Sequence, residues 1–438
     1  MFVPSRNEKR PTHLLGRARE FSPLDLTWIA NQFELEDICS LEAFRERGNI
    51  NLHTFEVECK DGRHFLLQRL NTDIFSEPVR VMEAMEGWIA SQRDYITSGR
   101  APEWTVWEPV TLVPTRVGGT YLDLSDDSGH SFWRMMHKIP GTVTFKSLSE
   151  VEDLTERERL AEEVGRGLAL SADFTSPMNT EALVPSLPGY RDTRGYFLQF
   201  RSVLAGNRTR EEALHWLPDA PEVRAATEAL YCVHLEPEEF DRRVHDPVLE
   251  PFIDLCRKQE ARALRILEAI EGGTIRKTAI HGDTKIDNFL FCRNTGKVRS
   301  LVDLDTIMPF TWLADWGDMM RSLCNVAGER ETDTDKIQVN REIYTAVTRG
   351  FLSTSREITP SEIELMPDAV QIIALELGLR FLTDYLRGDN YFLLGPGDPA
   401  DLNRTRAIAQ LTLFQRLEEE DAWTRDLVRS MAQKYGLL

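Results

Sequence analysis

Residues 279–318 constrain the fold of this chain more than any other stretch. They read AIHGDTKIDNFLF, then CRNTGK, then VRSLVDLDTIMPFTWLADWGD. Two apolar runs, 289–291 and 300–302, flank a polar turn at 294–296, which predicts a hairpin. Polar residues sit at its open ends: Asp283, Lys285 and Asn288 before the first run, Asp303 and Asp305 after the second. Closing the hairpin brings a carboxylate, an amide and a second carboxylate to one point.

That set suits phosphoryl transfer. One carboxylate orients a hydroxyl and takes its proton, while an Asn and an Asp offer hard oxygens to magnesium. The spacing His281-x-Asp283-x-Lys285-x-x-Asn288, followed by Asp303, is that of the catalytic loop of eukaryotic-type kinases. A lone His-x-Asp would read equally well as a solvated loop before a strand, with Asp303 as a cap for the next segment. The full order of residues around a hairpin favours a kinase site. No GxxxxGK[ST] occurs, which excludes a P-loop.

Further segments are GNINLHTFEV (48–57), FLLQRLNTDIF (65–75), VDLDTIMP (302–309), DWGDMMR (315–321) and LGLRFLTDYLRGDNYF (377–392). In this order, over roughly 48–406, the chain resembles the aminoglycoside-phosphotransferase and choline-kinase-like superfamily. Within it the last segment is similar to that of the N-acetylhexosamine 1-kinases. The resemblance implies an α+β, protein-kinase-like two-lobed fold, with a small antiparallel-sheet N-lobe and a larger, mainly helical C-lobe. It divides the chain into a polar arm (1–22), a nucleotide-binding lobe (23–137) and a catalytic and acceptor-binding lobe (138–438). The implied reaction is ATP-dependent phosphorylation of the anomeric hydroxyl of a free N-acetylhexosamine, with Mg2+ or Mn2+. The alternatives are another hydroxyl kinase of the superfamily, acting on a different sugar, an amino alcohol or an aminoglycoside, and a catalytically silent nucleotide-binding relative.

Roles follow from the resemblance. Asp283 is the catalytic base and Lys285 serves the transferred phosphoryl; Asn288 and Asp303 are metal ligands. His281 braces the loop, Asp315 supports it, and Asp318 is a candidate substrate contact. Gly48 and Asn49 lie in a turn that covers the phosphates or is simply a turn. Gln68 stands where most kinases carry a phosphate-binding lysine, and Glu86 is the acidic position of the following helix. Without that lysine, the cation that steadies the nucleotide is open. Arg69 is adjacent, but neighbouring strand residues face opposite sides. Asp305 either positions the acceptor or hydrogen-bonds its own turn. Arg380 and Tyr391 are sugar-binding candidates; the other readings are a Glu376–Arg380–Asp384 salt-bridge stripe and core packing of Tyr391.

Periodicity supplies the frame. A short helix is predicted over 23–33 and a hairpin of 55–59 with 64–70 around Asp61-Gly62. A helix opens at Ser76-Glu77-Pro78, with Ser76 as cap. Strands at 110–115, 120–124 and 131–137 complete a five-stranded sheet, and 135–141 forms the hinge. Thr155 and Glu158 suggest a capping box, and long helices follow at 249–271, 362–386 and 404–435. Residues 190–197 (YRDTRGYF) are a candidate acceptor segment.

The net charge of −19 argues against a nucleic-acid partner and means that ATP must be neutralised locally. Six scattered cysteines with no CxxC pair suit reduced thiols and give no zinc signature. No apolar run is long enough to span a bilayer, and residues 1–21 lack the apolar centre of a secretory signal. A cytoplasmic protein that does not bind membranes is therefore expected; the sequence leaves its oligomeric state open, a monomer being one option.

Overall fold

In the small lobe, side-chain parity decides what each strand offers to the site. The computed structural model describes residues 23–44, 50–51, 53–126, 129–395 and 397–438. Gly48, Asn49 and the 1–22 arm lie outside the described residues. Five antiparallel strands, β1 (Ile38–Ala43), β2 (Thr54–Cys59), β3 (His64–Leu70), β4 (Tyr121–Asp126) and β5 (Gly129–His137), pair in the order β1-β2-β3-β5-β4. Phe65 and Leu67 of β3 and Trp133 and Met135 of β5 pack with Trp28, Ile29 and Phe33, in and just after helix α1 (Pro23–Ala30). Alternation turns Leu70 and Phe132 to the other face, against helix α2 (Pro78–Thr97). Gln68 and Arg134 share that second face.

The sheet has the expected number of strands but a different membership. Residues 110–115 run beside β5 with isolated bridges, including Leu112 to Met136. Pro109 precedes that run and Pro114 lies within it, and proline lacks the N–H that a regular ladder needs. The fifth strand is β1, an edge strand with little alternation to reveal it. The N-cap of α2 is Glu77, without a side-chain cap bond; Pro78 at the first turn supplies the start signal. Val79, in the first turn of α2, is exposed.

The large lobe is helical around one core. Helix α3 (Leu154–Thr175) starts at Asp153, whose carboxylate accepts from the Glu156 N–H, so the expected Thr155 box does not form the cap. It crosses the Arg341–Thr354 helix at Gly165 and Gly350. A Cβ on Gly165 would lie 2.1 Å from the Val347 carbonyl oxygen, and one on Gly350 2.0 Å from that of Glu162. The Trp312–Cys324, Pro360–Arg387 and Leu402–Glu419 helices share this core.

The predicted hairpin forms from β8 (Phe289–Cys292) and β9 (Val298–Leu301), and β6 (Thr142–Val143) extends it to three strands. Just ahead of it, β7 (Thr278–Ile280) pairs with β10 (Met308–Phe310). The catalytic loop therefore hangs between β7 and β8, and the Asp303 turn between β9 and β10. The chain has the α+β, two-lobed, protein-kinase-like fold. Among the described residues no helix is long and apolar enough to cross a membrane.

Candidate active site

Asp315 holds the loop after β7 from below. Its carboxylate accepts the His281 N–H at 2.7 Å and the Gly282 N–H at 2.9 Å, and its carbonyl accepts the Thr284 hydroxyl at 2.7 Å. Burial raises the Asp315 carboxyl pKa, and these two amides and nearby charges pull it back only in part. His281 is fully buried. Its Nε2 lies 2.9 Å from the Val302 carbonyl, and its Nδ1 lies 3.3 Å from the Asp283 N–H. One tautomer satisfies both, with the proton on Nε2, so His281 ties the loop to the end of β9. Gly282 sits at φ +85°, and a Cβ there would meet the Thr306 carbonyl at 2.6 Å. Glycine lets the catalytic loop and the Asp303 turn approach this closely.

Asp283, half-buried, reaches Lys285 Nζ at 3.0 Å. Burial works against the Lys285 charge, but Asp283 and Asp287 outweigh it and hold the ammonium above the usual lysine range. Asn288 Nδ2 donates to the Asp283 carbonyl at 2.7 Å, leaving its Oδ1 free to serve as a ligand. Asp303 has left-handed backbone, φ 65° and ψ 57°, and opens to the cleft while protein surrounds its other sides. That surrounding protein, then the charges of Asp305 and Asp283, push its carboxyl up to about 6.

This donor set fits a divalent cation. Negative charge is in excess around Asp303, and one amide oxygen and one carboxylate stand at the cleft. Among the described residues no three His, Cys, Asp or Glu side chains form a ready-made cage. That suits magnesium, which keeps waters and phosphate oxygens in its shell and needs one or two protein ligands. Asn288 and Asp303 would hold it.

Asp305 differs from the expectation that it serves the substrate. It is 4% exposed, and both oxygens are engaged across the lobes: Oδ2 accepts from Asn51 Nδ2 at 2.5 Å, and Oδ1 lies 2.5 Å from Arg134 Nη2. Gln68 is also occupied. Its Oε1 accepts from Arg134 Nε and Nη2 at 3.0 and 2.6 Å, and its Nε2 donates to Thr54 Oγ1 at 3.1 Å. Glu86 is exposed on α2 and accepts from the Thr120 hydroxyl, so it points away from this group; the next residue inward, Met85, meets Arg134 Nη1 at 3.4 Å. Arg134 and Asn51 are the residues that sequence reasoning missed. The signal for Arg134 was a charge at an inward position between Phe132, Trp133, Met135 and Met136.

At the acceptor end, the salt-bridge stripe does not form. Glu376 turns to Arg191 Nη1 at 3.4 Å and the Thr193 hydroxyl at 2.7 Å, and Asp384 to Arg387 at 2.8 Å. Among the described residues no carboxylate pairs with Arg380. Its guanidinium lies 4.7 to 5.4 Å from the rings of Tyr190, Tyr196, Tyr391 and Phe392. Its Nη2 donates to the Tyr391 hydroxyl at 3.1 Å. Tyr391 is 42% exposed and so is not core packing. The Tyr190 hydroxyl donates to the Gly282 carbonyl at 2.6 Å, joining this box to the loop of Asp283. Asp318 is buried between Arg191 and Arg321, at 2.9 and 2.6 Å, rather than presented to a ligand. Those two arginines hold its carboxyl below the usual range although burial works the other way.

Residues 46–341 match the profile of the phosphotransferase enzyme family. The chain belongs to that family. Solved structures agree on the fold of this phosphotransferase. A microcompartment-associated aminopropanol kinase superposes with a TM-score of 0.54 at 14% identity, covering 91% of this chain and 98% of that one. An aminoglycoside phosphotransferase from Alicyclobacillus acidocaldarius subsp. acidocaldarius does so with a TM-score of 0.50 at 14% identity, covering 97% and 98%.

Proposed function

We propose that this phosphotransferase is an ATP- and magnesium-dependent kinase that phosphorylates the anomeric hydroxyl of a free N-acetylhexosamine. The observation that carries this reading is Arg380, a cation paired with no carboxylate among the described residues, boxed by aromatic rings and joined through Tyr190 to the loop of Asp283. An uncharged sugar suits such a box. A planar guanidinium donates to ring hydroxyls or an acetamido carbonyl, and tyrosines add ring contacts and hydroxyls. The same cation disfavours the second reading, an amino alcohol or aminoglycoside, because a cationic acceptor wants carboxylates and here Asp318 and Glu376 are already paired.

Asp283 orients the acceptor hydroxyl and takes its proton as the oxygen attacks the γ-phosphorus, with ADP leaving. Lys285, 3.0 Å from Asp283, places positive charge beside the transferred group. Asn288 and Asp303 would hold the divalent cation, which would neutralise phosphate charge. Asp315 and His281 keep the loop in register for this step.

Phosphorylation at the anomeric oxygen blocks ring opening, so the product loses its reducing end. The test incubates protein, ATP and magnesium with N-acetylglucosamine or N-acetylgalactosamine and follows ADP alongside reducing sugar. Equal loss of reducing ends per ADP is expected. ADP formation with reducing ends intact would refute the regiochemistry. Turnover of an amino alcohol or aminoglycoside but no acetamido sugar would favour the second reading.

A further inference from the structure

The small lobe lacks the lysine that most kinases place on β3, yet a cation still reaches the metal-binding turn from the neighbouring strand. Gln68 and Arg134 are direct cross-strand partners on β3 and β5, and alternation points both at the cleft face of the sheet. Arg134 is 1% exposed, and each of its three nitrogens has a partner inside the protein. Nε and Nη2 go to Gln68, Nη2 also to Asp305, and Nη1 to the Met85 sulfur. A guanidinium spent in this way is a poor phosphate ligand and a good strut.

The strut holds the turn that aims Asp303. Asp303 has left-handed backbone, and the Leu304–Thr306 turn comes directly after it. That turn is pinned at several points. Asp305 Oδ1 meets Arg134, Oδ2 meets Asn51, the Asp305 carbonyl accepts the Ser186 hydroxyl at 2.7 Å, and the Thr306 hydroxyl donates to the His281 carbonyl at 2.7 Å. Asn51 in turn accepts the Asn71 N–H at 2.9 Å, so the residue just beyond β3 is tied to the same carboxylate. Two of the pins come from the small lobe and two from the large one. We propose that Arg134, clamped between Gln68 and Asp305, is a positioning residue that sets the aim of Asp303 toward the metal of the nucleotide complex. The proposal rests on the reading of Asp303 as a metal ligand. In this chain a tie between the lobes then runs from β5 to the metal turn.

The test measures binding rather than turnover, using AMP-PNP with and without magnesium, by calorimetry on the full chain. For Arg134→Lys, which keeps the charge but not the fork, the magnesium concentration needed for half-maximal AMP-PNP binding should rise, by at most the about 10–100-fold usual when a group that orients a metal ligand is removed. Metal-free AMP-PNP affinity and acceptor KM should be unchanged. Arg134→Met leaves Asp305 buried and unpaired and is expected to be unstable. The double variant Arg134→Met with Asp305→Asn removes both charges and should regain thermal stability while keeping the raised magnesium requirement. A double variant that regains both would reduce the pair to a structural ion pair and overturn the proposal. So would a folded Arg134→Lys with the wild-type magnesium requirement. Loss of metal-free affinity instead would make Arg134 a phosphate ligand, also against the proposal. AMP-PNP binding needs no acceptor, so failure to phosphorylate acetamido sugars leaves this test intact; wild-type nucleotide binding that ignores magnesium would overturn both readings.

Discussion

Removing Arg380 should weaken acceptor use and leave ATP use alone. In the structure Arg380 has one polar bond, to the Tyr391 hydroxyl at 3.1 Å, and no carboxylate among the described residues, so donors remain for a ligand. A hydrogen bond involving a charged group contributes ~1.5–3 kcal/mol, which corresponds to about a 10- to 150-fold change in an equilibrium constant. Arg380→Ala should therefore raise the KM for N-acetylglucosamine, or lower kcat/KM, by roughly that factor. Its contact with the Tyr196 ring, 4.7 Å from the guanidinium, adds ~0.5–2 kcal/mol to stability, so the melting temperature should fall as well. Arg380→Lys keeps the cation but loses the planar fork and should fall between the two. The assay is initial-rate ADP release against acceptor at saturating ATP, then against ATP at saturating acceptor. Acceptor kinetics unchanged in a folded Arg380→Ala would refute the assignment and leave Arg380 as packing. A rise in ATP KM alone would move it to the nucleotide side.

Asp283→Asn should lower turnover by ~10²–10⁴-fold while sparing AMP-PNP binding; near-normal ADP formation by the folded variant would remove Asp283 from the role of base. Excess EDTA should abolish ADP formation and added magnesium restore it, with Asp303→Ala needing far more metal; full activity in chelator contradicts the metal assignment. A pH effect is expected at Asp173, which is 3% exposed and accepts from Ser355 Oγ, Arg356 N and Glu357 N at 3.1, 2.8 and 3.0 Å. Burial pushes its carboxyl from the ordinary 3.8 up to about 7, so between those values the folded state binds the proton more tightly than the unfolded one. Wild-type stability relative to Asp173→Asn should thus rise as pH falls from 8 to 5, read by urea denaturation at each pH; a difference independent of pH would show that Asp173 does not titrate there.

The part of the site legible in the sequence was local. His281, Asp283, Asn288 and Asp303 sit at the rims of one hairpin, so their convergence follows from apolar runs and a turn without knowledge of any distant contact. Strand parity likewise separates Gln68 from Arg69. The illegible part spans lobes. Asn51 and Asp305 are 254 residues apart, and their contact depends on how the sheet seats on the metal turn, which no local pattern encodes. The Arg380 stripe failed for the same reason. Spacing along a helix shows which residues are able to pair, but Arg191, itself in left-handed backbone at φ 58°, reaches in from another segment and takes Glu376 first. Asp384 is taken by Arg387 and by the Tyr391 and Phe392 N–H groups at 3.0 and 2.8 Å. With both carboxylates claimed, Arg380 pairs with no carboxylate among the described residues and is linked through Tyr190 to the catalytic loop. The aromatic rings steady the cation, but only one of its donors is used, to the Tyr391 hydroxyl; the donors left for a ligand are the physical ground for proposing that Arg380 serves the acceptor.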